Sequence, residues 1–274
     1  AYTLAGEVEN LALLNPASPT AFTLAGNSLN NQITGGAGND SLDGAGGYDT
    51  LEGGNGDDTL DGGANGGVLR GGIGNDLLLT GSGGPFGPSF AGGDGDDTLD
   101  GRGAGTLSGS YDGGTGNDLI LAGNGDDNIT NAGGGANTVH GGGGGDFIVA
   151  SGQGALIFGN TPTVVGQSGD QLSYMNDAGG VTLALATNAL DGNGNVLTSI
   201  ATTSLGADTV GGFDRVGGGW GHDALTGNSG NNTLSGGSGN DTLLGADGND
   251  SLSGGFGNDS LGGGNGADTL VAGQ

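Results

Sequence analysis

The sequence predicts an all-β fold: a parallel β-roll solenoid with two nine-residue units to each 18-residue coil, interrupted by longer strand and loop insertions. Three observations predict it. A nine-residue pattern, G-G-x-G-x-D-x-U-x with U a bulky apolar residue, recurs along the chain. Its first six positions are turn formers and its last three suit a strand of minimal length. Apolar material is also too sparse for an ordinary core. Of 274 residues, 73 are glycine, 27 aspartate and 26 asparagine, while Leu, Ile, Val and Phe together make about one residue in five.

The units are read in order from Gly35: GGAGNDSLD, GAGGYDTLE, GGNGDDTLD, GGANGGVLR and GGIGNDLLL, ending at Leu79. The pattern returns as GGDGDDTLD (92–100), GGTGNDLIL (113–121), AGNGDDNIT (122–130) and GGGGGDFIV (141–149). From Gly218 to Val271 it runs six times without interruption. A turn-plus-strand unit of nine residues reverses the chain, so coils of 18 residues stack in parallel with two thin sheets face to face. The U residues then point inward: Leu42, Leu51, Leu60, Leu69 and Leu78 early, and Leu225, Leu234, Leu243, Leu252, Leu261 and Leu270 late. No unit is stable alone, and stacking buries each ladder against its neighbours.

Stacking also concentrates charge. The chain has 30 acidic residues against Arg70, Arg102 and Arg215, no lysine, and a net charge of −27. Residues 18 apart share one edge at a strand spacing of about 4.8 Å. Asp40, Asp58 and Asp76 form one column, as do Asp223, Asp241 and Asp259, with Asp250 and Asp268 opposite. Like charges that close repel by about 1 kcal/mol even in water. A hard divalent cation between loops removes the repulsion, and carboxylate oxygens with glycine-loop carbonyls make the six-to-eight-oxygen shell that calcium prefers. A lone G-N-D reads as a solvated turn; thirteen copies in register read as ligands.

The nonapeptide run resembles the RTX (repeats-in-toxin) calcium-binding proteins, with clear or mildly degenerate copies over 26–79, 92–149 and 218–271. The resemblance implies that the sixth-position aspartates are side-chain ligands to several calcium ions: Asp40, Asp49, Asp58, Asp76, Asp97, Asp118, Asp127, Asp146, Asp223, Asp241, Asp250, Asp259 and Asp268. Gly67 and Asn232 occupy that position where aspartate is expected, which weakens the Asp49/Gly67 and Asn232/Asp250 pairs.

Four segments follow: an N-terminal strand segment (1–25), a first block (26–149) with loop insertions at 80–91 and 101–112, a β-rich spacer (150–217), and a second block (218–274). The spacer carries alternating stretches at 181–186 and 196–201, read as longer strands that continue or decorate the solenoid.

Composition excludes several functions. Three arginines cannot serve nucleic acid, which needs basic clusters. No apolar run reaches a membrane span, and without cysteine there are no disulfides or thiolate metal sites. With two histidines, His140 and His222, and no H-E-x-x-H, the chain reads as no enzyme. Trp220 and Tyr174 could stack on a sugar but read as packed side chains. The N-terminus lacks a basic start, a cleavage signature and an initiator methionine, so the chain reads as a processed product or fragment. The expected function is a secreted, extracellular or cell-surface protein that folds on calcium and serves a surface layer, filament or adhesin, with head-to-tail self-association through the apolar strands at its two ends. The alternative is the non-catalytic C-terminal module of a larger secreted protease, lipase or polysaccharide epimerase.

Overall fold

The computed structural model describes residues 1–274 except 7, 13–16, 83, 131–133, 151–153, 161–168, 186–197 and 204–205. Among the described residues the elements are short β-strands and two single-turn 3-10 helices, Gly63–Asn65 and Arg102–Ala104. The chain is an all-β parallel solenoid that divides into two compact units, 1–142 and 143–274.

In the first unit, strands alternate between two sheets, each pairing in parallel with the strand one coil away. Ser41–Asp43 lies beside Thr59–Asp61, which lies beside Leu77–Leu79, at an 18-residue register. In the facing sheet, Gln32, Thr50 and Val68 follow the same step. Three coils are longer: Leu77 pairs with Thr98 and Thr98 with Leu119, a step of 21, and Leu119 with Thr138, a step of 19. The three additional residues of each 21-residue step are taken up between Leu79 and Ser89 and between Asp100 and Ser110, where the Arg102–Ala104 helix lies. Tyr2–Thr3 and Asn10–Ala12 begin the two sheets, against Thr23–Ala25 and Gln32–Gly36.

Three-residue strands present one residue inward and two outward, so the core is a double file of single side chains. Leu24, Leu42, Leu60, Leu78, Leu99 and Ile120 supply one file; Ile33, Leu51, Leu69, Phe90, Tyr111 and Ile129 supply the other, all within 2 % of full burial. Phe90 and Tyr111 meet edge-on at 5.6 Å. Complete burial of each leucine contributes about 1.5–3 kcal/mol, and the rigid stacking lets so few apolar residues reach it.

The second unit departs from the simple coil in its first half. Its first sheet runs Leu156–Asn160, Ala207–Gly211, Thr198–Thr202, Thr182–Ala184 and Ala224–Thr226, and Thr198–Thr202 is antiparallel to both neighbours. An antiparallel insertion thus interrupts the parallel ladder. Of the stretches read as strands, 182–184 and 198–201 are strand; residues 186 and 196–197 lie outside the described residues. From Arg215 the 18-residue register resumes through Thr233, Ser251 and Thr269. Leu225, Leu234, Leu243 and Leu252 are buried as expected. Leu270 is not: it is 44 % exposed, because Thr269–Val271 has a neighbouring strand on one side only.

Candidate metal centre

The turn between strands is built from glycines that bend in ways other residues resist. Gly54 and Gly56, second and fourth in their unit, sit at φ 115° and 111°, where a Cβ is strained. These bends deliver the sixth-position aspartate to the mouth of the roll just before the strand.

On one edge of the first unit, Asp40, Asp58, Asp76, Asp97 and Asp118 form a continuous ladder. Each carboxylate accepts, at Oδ1, the backbone N–H of the aspartate one coil earlier: Asp40 donates to Asp58, Asp58 to Asp76 and Asp76 to Asp97, each at 2.7 Å, and Asp97 donates to Asp118 at 3.0 Å. Phe22 N–H donates to Asp40 at the start, and Asn137 Oδ1 receives Asp118 N–H at the finish. In the second unit Asp223, Asp241 and Asp259 repeat the arrangement, with Val181 N–H as the first donor. Opposite them Asn232 donates to Asp250 and Asp250 to Asp268.

Most of the second carboxylate oxygens have no such partner. Oδ2 of Asp40, Asp49, Asp58, Asp76, Asp97, Asp118, Asp241, Asp250 and Asp259 is buried without a hydrogen bond. A buried carboxylate oxygen left this way is costly unless something cationic meets it. Each lies over the first glycine of its own unit, and all but those of Asp49 and Asp118 lie there beside a carbonyl of the next coil. A Cβ on Gly35 would sit 2.6 Å from Asp40 Oδ2 and 2.5 Å from the Gly53 carbonyl oxygen. The same juxtaposition recurs at Gly53 (Asp58, Gly71), Gly71 (Asp76, Gly92), Gly92 (Asp97, Gly113), Gly236 (Asp241, Gly254) and Gly245 (Asp250, Gly263). The cradle exists because no side chain fills it.

These residues fit a hard divalent cation. The donors are all oxygen, part carboxylate and part carbonyl, which suits calcium; zinc favours nitrogen and sulfur, and magnesium demands tight octahedral geometry. Among the described residues no three His, Cys, Asp or Glu side chains converge on one point. The register explains this: successive carboxylates are one coil apart, and backbone carbonyls lie between them. When bound, calcium would supply positive charge and cross-links between coils.

Burial without a counter-charge is visible in the acidities. Desolvation pushes Asp58 and Asp97 up to about 7, and Asp49 and Asp127 up to about 6, against an opposing backbone hydrogen bond in each case. Asp76, Asp118, Asp223 and Asp241 are raised for the same first reason.

The other predicted positions differ in kind. Asp49 accepts Asn31 N–H and faces Gly67 across the register. Asp127 uses both oxygens on backbone, at Gly109 N–H and Gly123 N–H. Asp223 likewise holds Val181 N–H and Gly219 N–H. Asp146 N–H donates to Asp170. At Asn232 a neutral amide replaces the carboxylate, and its Nδ2 is buried without a partner.

Four ladder residues escaped sequence reading: Asn31, Asn137, Asp170 and Asp208. Extending the nine-residue frame through the degenerate units places Asn31 and Asn137 at the sixth position, as in GANTVH, whereas Asp170 and Asp208 lie outside that frame and are found only by a local match such as GADTV. Asp208 is met by protein donors, accepting Gly154 and Ala155 N–H at 3.0 and 2.8 Å and the Tyr174 hydroxyl at 3.2 Å. Also missed was an outer ladder at the fifth position, running in the opposite sense. Asn75 N–H donates to Asp57, Asp96 to Asn75 and Asn117 to Asp96, all at 2.7–2.8 Å.

Stacked glycine-rich coils edged by carboxylate ladders define a calcium-binding type of β-roll. The family model for the RTX calcium-binding nonapeptide repeat matches residues 23–51, 34–68, 52–84, 89–104, 110–134, 131–153, 217–252 and 244–274, more than half of the chain, and the chain belongs to this family. No curated protein matches it.

Proposed function

We propose that the protein is a secreted calcium-binding β-roll that folds when it meets extracellular calcium and then serves as a structural component of a surface layer, filament or adhesin. The observation that carries this reading is the row of buried, unpartnered Oδ2 atoms from Asp40 to Asp118, those of Asp40, Asp58, Asp76 and Asp97 each beside a carbonyl of the next coil. Calcium is the ligand, and the thirteen predicted aspartates are its side-chain donors, strongest where Oδ2 is unpartnered. Extracellular modules bind calcium at roughly 10⁻⁴–10⁻³ M. At ten times the dissociation constant each site adds about 1.4 kcal/mol, so several sites together decide between coil and fold. In the low calcium of a cytosol the chain stays unfolded, which suits export of an unfolded chain.

Association between copies belongs to the same reading. Leu261, Leu270 and Val271 form the surface on which another coil stacks, and Leu270 and Val271 are 44 % and 54 % exposed. Such a contact is heterologous and propagates. Circular dichroism tests the folding: chelator gives a coil spectrum, and millimolar calcium restores β-structure. A β-spectrum indifferent to chelator would sink the reading. Light scattering at millimolar calcium tests the association, which a concentration-independent monomer of 25.7 kDa excludes.

A further inference from the structure

The second unit carries an exposed aromatic file that neither the core nor the carboxylate ladder uses. Trp220, which the sequence reading assigned to packing, is 69 % exposed, and Phe256 is 67 % exposed. Tyr174, by contrast, is fully buried. Trp220, Ser238 and Phe256 are the third residues of alternate units. Ser238 pairs with Phe256 in register, and Ser238 N–H donates to Gly219 O at 3.0 Å, which sets Trp220 in the same column one coil earlier. The two rings are therefore two strand spacings apart, about 9.5 Å, on a scaffold locked by parallel pairing.

The flanking chemistry is neutral and polar. The fifth-position residues beside the file are His222, Asn240 and Asn258, all exposed. Asn240 N–H donates to His222 Nδ1 and Asn258 N–H to Asn240 Oδ1, which fixes these side chains and leaves the Asn240 amide NH₂ to donate outward. The carboxylates of this edge, Asp223, Asp241 and Asp259, turn inward on their ladder. The matching positions in the first unit include the carboxylates Asp57, Asp94 and Asp96 among neutral residues such as Asn39, Asn75 and Asn117.

We infer that this file is a binding site for a neutral, extended, β-linked glycan. Aromatic faces stack on the apolar faces of pyranose rings, and amides serve their hydroxyls. An extended glycan of this linkage advances by about one strand spacing per ring, so rings two coils apart meet alternate sugars. A net charge of −27 with three arginines disfavours an anionic polysaccharide.

Trp220 is the single tryptophan, so its emission reads the site directly. The full chain, shown by circular dichroism to be folded in calcium, is titrated with cellohexaose. The expected result is a saturable emission shift that polygalacturonate does not produce. Phe256→Ala keeps the reporter and weakens binding roughly tenfold, whereas Phe86→Ala, an exposed ring in the first unit, leaves it unchanged. Trp220→Ala, followed by calorimetry, also loses binding. A folded protein with no saturable shift overturns the inference, as does unaltered affinity in Phe256→Ala. A shift produced by raising protein concentration alone also overturns it, because a second copy then covers the file.

Discussion

The two edges of the first unit solve the same stacking problem differently. On one edge the sixth position is aspartate five times running, Asp40 to Asp118, and every coil is tied to the next by a carboxylate. On the other edge the corresponding column reads Asn31, Asp49, Gly67, Pro88, Gly109 and Asp127, placed by the backbone bonds from Thr50, Ser110 and Asn128 and by the Asp49–Gly67 register. Three consecutive rungs carry no carboxylate. Loops and rings occupy that region instead: the Gly63–Asn65 and Arg102–Ala104 turns, the Tyr48–Phe86 ring pair at 5.5 Å, and Tyr111, whose ring lies over Gly101 and Gly109. The 21-residue steps are those from Gly67 to Pro88 and from Pro88 to Gly109. On the proposed reading, an edge whose carboxylates a cation holds together can stay short and glycine-rich. A metal-independent edge needs more residues and larger side chains to close.

The largest effect expected from this contrast is on calcium dependence. Asp97→Ala removes the acceptor of the buried Asp76 N–H and one donor from each of two neighbouring rungs. Leaving that N–H unpaired costs about 1–3 kcal/mol, and the calcium midpoint for folding should rise several-fold in a dichroism titration. Asp49→Ala, beside the gap at Gly67, should raise it much less. Equal shifts would erase the distinction between the edges. In the second unit the same logic ranks Asp241→Ala above Asp268→Ala: Asp241 is bonded on both sides, whereas Asp268 accepts only from Asp250.

Next in size is a pH effect on the calcium-free chain. Asp58 and Asp97 titrate near 7 when folded, and Asp49 and Asp127 near 6, above the value of 3.8 for an ordinary aspartate. The folded form therefore holds more protons than the unfolded form between about pH 4 and 7. Its stability is greatest below about 4 and falls as pH rises through 7. In chelator, β-structure should persist in acid and disappear toward neutrality, and calcium at pH 7 should restore it. A calcium-free β-signal that strengthens from pH 4 to 7 would contradict the buried, uncompensated carboxylates.

Restoring a missing rung should fail. Gly67→Asp supplies the family residue, yet its Cβ would lie 2.5 Å from the Asp49 carbonyl oxygen. Backbone, not a flexible side chain, is in the way, so the variant should lose stability and gain no calcium. Calorimetric stoichiometry above the wild-type value would refute this. The smallest effect belongs to Ala246, second in its unit where most units carry glycine, held at φ 82°. Ala246→Gly should stabilise by about 1 kcal/mol, visible as a small rise in melting temperature.

Much of this molecule is legible in its repeat. The nine-residue period implied the parallel roll, and the U positions from Leu42 to Leu252 implied the core files, because a strand of three residues has only one inward side chain. The thirteen aspartates followed from the same frame. Asn31 and Asn137 were missed because an amide at the sixth position carries no charge signal, although its oxygen accepts the same backbone N–H. The exposure of Trp220 was misread because a lone aromatic in a sequence gives no direction, whereas the third position of a turn has no core to enter.

What the sequence by itself determined is everything set by periodicity: which residues stack, which face inward, and that carboxylates accumulate at the edges faster than any cation in the chain can offset. Only the tertiary structure decided which rungs are complete. Whether an aspartate oxygen is left open, as in Asp58, or satisfied by backbone depends on the local turn, as where Asp127 Oδ2 accepts Gly123 N–H four residues back, and, as at Asp208, on residues one or more coils away. Those lie 18, 21 or more than 50 positions distant along the chain, and the intervening loops set the register that brings them together.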